Sequence, residues 1–201
     1  MNIIQAIVYG IVQGIGEFLP ISSTAHLVLI PWLFGWNDPG VAFDVALHLG
    51  TAAAVILFFF KDWVKLISAG IREPKSKDGM LFWLLVLATI PGGLLGIILD
   101  KYMKGFRNPA LIGVMLIVMG IILYYTDKHG DKEIKIEDIG LKRSFIVGIS
   151  QVVAIIPGVS RSGITISAGR LLGIERESIA KFTFLLSTPI IIGDEIGRAH
   201  V

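Results

Sequence analysis

Two short polar stretches hold most of the side chains in this sequence that could do chemistry. In the first, Gln13 and Glu17 stand four residues apart, on one face of a helix, and Pro20-Ile21-Ser22-Ser23-Thr24-Ala25-His26 follows. Glu17 has apolar neighbours, where a carboxylate must be paired, protonated or holding a cation. Together Gln13 and Glu17 offer an oxygen-rich corner for a divalent ion such as Mg²⁺, which accepts carboxylate, amide and phosphate oxygens at once. Ser22, Ser23 and Thr24 suit the start of the next helix as caps. His26, however, lies within one helical turn of Ser22 and Ser23, so its imidazole can approach a serine hydroxyl. That is the base-plus-nucleophile arrangement of covalent catalysis.

The second stretch is Pro157-Gly158-Val159-Ser160-Arg161-Ser162-Gly163-Ile164-Thr165. An arginine at membrane depth costs about 2.5 kcal/mol or more and marks a functional site by default. Pro157 is expected to stop the preceding helix, and Gly158 frees the backbone. Successive N–H groups can then form an anion seat at the start of the next helix, with Arg161 as a forked, permanently charged partner for phosphate. The sequence contains no G-x-x-x-x-G-K-[ST], so a nucleotide P-loop is not indicated. Asp44, His48 and Arg170 carry weaker signals and receive no role, and His129 reads as part of a solvated loop.

The elements that position these residues are apolar. The chain has 201 residues, 54% hydrophobic and 17% charged, with a net charge of +2 and a mean hydropathy of +0.75. A soluble domain carries about 25% charged residues; this composition describes a helical membrane protein. The small net charge gives no reason to expect nucleic acid as a partner. With no cysteine, disulfides and thiolate chemistry are excluded. Met1–Gln5 lacks the basic start of a cleavable signal.

Residues 1–12 read as a short apolar helix, followed by the proline-broken segment 13–26 and the apolar run Leu27–Phe34. Ala42–Phe60, Met80–Leu99 and Ala110–Tyr125 have the length and hydropathy of spans. Phe145–Ile156 and Ile164–Ile174 flank the second polar stretch, and Leu171–Gly173 and Ile179–Gly193 come last. Basic residues in Lys61–Gly79 and Thr126–Arg143 place those loops on the cytoplasmic side, which leaves Pro31–Val41 and Asp100–Asn108 outside. Gln13…Pro20-Ile21-Ser22-Ser23 parallels Gln151…Pro157-Gly158-Val159-Ser160. Reaching in from opposite faces, the two stretches would form an inverted repeat of broken helices. The fold expected is therefore an all-α polytopic membrane bundle with two re-entrant segments.

Gln13-x-x-x-Glu17 with Phe18-Leu19-Pro20-Ile21-Ser22-Ser23-Thr24-Ala25-His26, together with Pro157–Thr165, resembles the signature segments of the undecaprenyl-diphosphate phosphatase family, which is linked to bacitracin resistance. The similar layout extends to about Ile192. The resemblance implies a bacterial plasma-membrane enzyme that hydrolyses undecaprenyl diphosphate to undecaprenyl phosphate and inorganic phosphate, recycling the lipid carrier of peptidoglycan synthesis. It also implies a site open to the outer face and a divalent cation, Mg²⁺ with Ca²⁺ as the second candidate. Members of that family accept Glu or Gln at the position of Gln13, and they continue for roughly two more membrane segments. Glu195–Val201 puts charge and polarity where an apolar helix would continue. Residues 1–193 are thus expected to form one membrane domain, incomplete at its end, with 194–201 a non-native tail.

Under this reading Arg161, with Ser22, Ser160, Ser162 and Thr165, holds the diphosphate, and Glu17 with Gln13 holds the metal. Ser23 attacks or positions a water, and His26 moves the proton. The partners are a polyprenyl diphosphate and the bilayer, with a homodimer among the assemblies open to the chain. A transporter or flippase for an anionic lipid, or for a free anion, is the competing reading, since broken helices are transporter features. The Ser–His pair beside an acid favours chemistry, because anion binding alone needs no general base. A scaffold protein would leave Arg161 and Glu17 unexplained.

Overall fold

The computed structural model describes residues 1–103, 108–130 and 133–198. Among these it is all-α: α1 Ile3–Phe18, α2 Ser23–Phe34, α3 Val41–Phe58, α4 Phe60–Arg72, α5 Lys77–Met103, α6 Pro109–Lys128, α7 Gly140–Ser150, α8 Arg161–Leu171 and α9 Arg176–Arg198. Two of these, over Lys77–Gly96 and Pro109–Lys128, are long and apolar enough to cross a membrane, and α3 with α4 makes a third if that bent pair is one span.

The first helix does not stop at residue 12. It runs unbroken through Gln13 and Glu17 to Phe18, opened by a capping box between Asn2 and Gln5. Gly14 and Gly16 weaken the helix without ending it, and the Gln13–Glu17 side-chain bond supports it. The break is confined to residues 19–22, and α2 turns back along α1. Gly16 makes this possible, since a Cβ there would lie 2.9 Å from Ser23 Cα.

A helix of α1's length reaches about 24 Å and one of α2's about 18 Å, short of the ~30 Å hydrocarbon core. The hairpin therefore opens and closes on one face, with its tip inside. Tyr9 fixes that open end, packing edge-on against Trp36 and against Phe43 at the start of α3.

From there α3 descends to the opposite face. Charged Lys61, Asp62 and Lys65 cannot continue into hydrocarbon, and at Phe59 the chain bends by 65° into α4. The stretch expected as a loop after Phe60 is thus helical. Lys65–Asp78 (2.9 Å) and Trp83 Nε1 donating to the Gly70 carbonyl (3.1 Å) tie α4 to the start of α5. The buried core joins Phe59, Leu66 and Leu81 to Ile139 before α7 and to Ile174 and Ile179 around the start of α9. The hairpin of α7 and α8 consequently opens on this second face, where Arg143 Nε donates to the Leu172 carbonyl.

Two hairpins of opposite sense thus enter from opposite faces, as the sequence parallel requires. In the second, α7 ends at Ser150 and a 3₁₀ turn, Gln151–Ile155, follows. The helix is therefore over before Pro157; the proline instead holds Ile156 extended, at φ −69°, ψ 122°. Gly158, at φ +95°, sits against α6, where a Cβ would come within 2.8 Å of the Ile112 carbonyl oxygen. The side chains of Lys101, Lys104, Arg107 and Lys132, and those of the tail expected at 194–201, lie outside the described residues, as do the backbone of 104–107, 131–132 and 199–201.

Candidate active site

The tips of the hairpins meet. A Cβ on Gly163 would lie 3.4 Å from the Pro20 carbonyl oxygen, so the start of α8 abuts the turn between α1 and α2. Across this junction Arg161 Nη2 donates to Glu17 Oε1 at 2.6 Å. The other carboxylate oxygen, Oε2, accepts from Ser23 Oγ at 2.8 Å and from Gln13 Nε2 at 3.2 Å. The Glu17 side chain is 11% exposed and that of Arg161 25%; Ser23 is buried. The arginine side chain thus keeps about a quarter of its surface open beside a nearly buried carboxylate.

At the start of α8 the expected anion seat can be read in its local bonds. Ser160 caps the helix, its Oγ accepting from the Gly163 amide at 3.1 Å, and the Ile164 amide bonds the Ser160 carbonyl. The amides of Arg161 and Ser162 are left without acceptors among the described residues, beside the guanidinium. Ser162 Oγ lies 3.1 Å from Ser160 Oγ. Thr165 is turned away from the seat: its hydroxyl bonds the carbonyls of Arg161 and Ser162 and accepts from Thr183 of α9. It braces α8, as an i−4 back-bonding hydroxyl does.

His26 is placed differently from the sequence expectation. Its Nδ1 lies 2.9 Å from the Ser22 carbonyl oxygen and not on a serine hydroxyl. A carbonyl only accepts, so Nδ1 carries a proton, and in the neutral ring Nε2 is the basic nitrogen. The acid–hydroxyl contact in this site is Ser23–Glu17. Ser22 holds a φ of +64° and makes no side-chain cap bond to α2; among the described residues it is the one non-glycine with positive φ. Such backbone strain collects at functional sites. Its hydroxyl is 3.4 Å from that of Thr24.

Sequence reading missed what α3 contributes. Thr51 Oγ1 is 3.5 Å from Gln13 Nε2 and donates to the His48 carbonyl at 2.9 Å. His48 is buried. No local motif surrounds them; the i,i+4 spacing of Asp44 and His48 was the only signal, and it appears as His48 Nδ1 donating to the Asp44 carbonyl. Gln151, the counterpart of Gln13 in the sequence parallel, does not reach the site. It donates to the Ala88 carbonyl near Pro91 of α5 and to Gly148. Arg170 is bound to the carbonyls of Asp127, Gly130 and Ile174, far along α8.

Among the described residues no cluster of three or more His, Cys, Asp or Glu stands ready for a metal ion. Gln13 Oε1, however, is buried without a partner, beside the Glu17 carboxylate. One carboxylate and one amide oxygen suit Mg²⁺, which keeps several waters and fills its shell from substrate phosphates.

Comparison with known proteins identifies the family. The family model described as bacitracin resistance protein BacA matches residues 6–200. The chain belongs to the BacA family. Among BacA relatives, an undecaprenyl-diphosphatase of Moorella thermoacetica is 54% identical over 194 residues, 96% of this chain and 74% of the relative. One of Desulforudis audaxviator is 55% identical and one of Pelotomaculum thermopropionicum 54%, over the same shares. The BacA match and the spans of α5 and α6 together make this a multi-pass membrane protein.

Proposed function

We propose that this chain hydrolyses undecaprenyl diphosphate to undecaprenyl phosphate and inorganic phosphate, returning the lipid carrier to peptidoglycan synthesis. The observation that carries the reading is the shared carboxylate of Glu17, with Arg161 on one oxygen and Ser23 on the other. A transporter needs the arginine but not a hydroxyl held by an acid, and the relatives bear the name of a hydrolase.

The terminal phosphate binds Arg161 and the free amides at the start of α8, with Ser22, Ser160 and Ser162 around it. It thereby competes with Glu17 for the guanidinium and frees the carboxylate to take the Ser23 proton. Ser23 Oγ bonds to the terminal phosphorus, the bond to the bridging oxygen breaks, and undecaprenyl phosphate departs as an anion that needs no acid. Water then attacks the phosphoserine, giving its proton to His26 Nε2; the bond from phosphorus to Ser23 Oγ breaks, Glu17 returns its proton to that oxygen, and phosphate leaves. In the alternative course Ser23 only orients the water that attacks phosphorus. Mg²⁺ (or Ca²⁺), held by Gln13 and Glu17, would neutralise charge on the phosphates. Positioning and charge neutralisation supply most of the rate in such transfers.

The membrane is the bacterial plasma membrane. The basic residues of α4, of the turn before α5 and of the start of α7 share one face, which the positive-inside rule places in the cytoplasm. The first hairpin then opens outward, and the site faces the outer side. A homodimer is compatible with this arrangement. The deciding assay is release of phosphate from a C55 prenyl diphosphate by purified protein, with and without chelator. Phosphate release that the chelator suppresses supports the reading; no release, alongside uptake of the lipid across liposomes, overturns it.

A further inference from the structure

The second hairpin carries a feature that the catalytic site does not use. Where α7 begins and α8 ends, a groove of about 290 Å³ is lined by Lys142, Arg143, Leu171 and Leu172. Arg143 is held in place by the carbonyls of Leu172 and Ile139, through Nε and Nη1, so that Nη2 has no partner among the described residues. Lys142 is exposed and makes no ion pair or hydrogen bond with them. Glu137 and Asp138 of the preceding turn are exposed but do not line the groove.

Beside these two cations an apolar stripe begins. Leu141, Phe145 and Ile149 lie on one face of α7 at intervals of four and are 69%, 43% and 45% exposed, and Leu171 at the end of α8 is 71% exposed. In a membrane hairpin such a stripe faces acyl chains, and its polar end marks the depth of the headgroups. A fixed guanidinium and a free ammonium at that depth complement a phosphodiester.

We propose that this groove is a binding site for an anionic glycerophospholipid, with its phosphate between Lys142 and Arg143 and its acyl chains along the stripe of α7. The site lies at the opposite end of the hairpin from Arg161, so it is separate from the substrate seat. The occupant stiffens the open end of the hairpin whose tip carries the anion-binding turn.

Native mass spectrometry of the protein released from nanodiscs of mixed phosphatidylglycerol and phosphatidylcholine tests the assignment. The wild-type chain is expected to retain phosphatidylglycerol selectively. Lys142→Gln should lower that retention about fivefold, the change given by about 1 kcal/mol per basic residue near the surface, with the fold intact because Lys142 has no partner to lose. Leu171→Ser should weaken retention of the same lipid without altering charge. Equal retention of the two lipids by wild type, or retention of phosphatidylglycerol unchanged in both variants, would overturn the proposal. Phosphate release by Lys142→Gln in detergent at the wild-type rate would separate this outcome from any failure of the catalytic reading.

Discussion

Glu17 and Arg161, 144 residues apart in the chain, are joined by a 2.6 Å ion pair at the meeting point of two hairpins. The pair closes the fold and, in the proposed reaction, opens it to substrate. Arg161→Ala and Glu17→Ala should each lower phosphate release by about 10²–10³-fold, the loss seen when one electrostatic donor is removed. Arg161→Lys should not rescue, because an ammonium lacks the fork that a phosphate and a neighbouring amide pair can share. Near-normal turnover in any of the three would remove the role given to that residue.

Ser23 and Glu17 act on one proton, so their effects should not add. Ser23→Ala, Glu17→Ala and the double variant are expected to show nearly the same residual rate. A rate in the double variant equal to the product of the two single losses would argue for separate roles. Rapid acid quench should trap a phosphoserine at Ser23. Solvent ¹⁸O entering phosphate with no trapped phosphoserine would instead favour direct attack by water.

His26→Ala should lower kcat by about 10²-fold or more with KM little changed, since the ring is assigned to proton transfer and not to binding. His26→Gln keeps a donor for the Ser22 carbonyl. Rescue by His26→Gln would show that the imidazole only positions the strained turn.

Gly16 and Gly158 test the packing that brings the tips together. Gly16→Ala forces a methyl to within 2.9 Å of Ser23 Cα, and the serine must shift. A loss of activity is expected with a stability cost of about 1–3 kcal/mol. Gly158→Ala suffers both its positive φ and a clash with the Ile112 carbonyl, so its thermal midpoint should fall further. Equal midpoints would show that α6 can give way.

Chelation should suppress turnover, and Mg²⁺ should restore it. Gln13→Ala, which removes the orphaned amide oxygen, should raise the Mg²⁺ concentration needed for half-maximal activity. An unchanged cation requirement would place the ion elsewhere.

The two polar hairpin tips were legible because proline, glycine and clustered hydroxyls punctuate an otherwise apolar chain, and because a lone Glu17 and Arg161 cannot sit there unpaired. The opposed hairpins followed from loop charge and the repeated order of residue types. The immediate partner of His26 was not legible: one helical turn brings its ring within reach of a carbonyl as readily as a hydroxyl. Nor could Thr51 and His48 be assigned, since their approach to Gln13 depends on how α3 packs and not on any neighbour in sequence. The bend into α4 escaped notice for a related reason. Charges at Lys61 and Asp62 announce the end of a span, but amphipathic spacing alone does not say that the chain bends there into a further helix.

The meeting of the hairpins also sets an order of events during biosynthesis. When the ribosome has released α1 and α2, Glu17 and Ser23 exist, but the arginine that neutralises the carboxylate has yet to be translated. A bare carboxylate is unwelcome in lipid, so the nascent first hairpin should wait near the headgroups and sink to its final depth only after residue 161 emerges. Insertion of the first hairpin is then completed by the second, whose arginine lies 144 residues further along the chain.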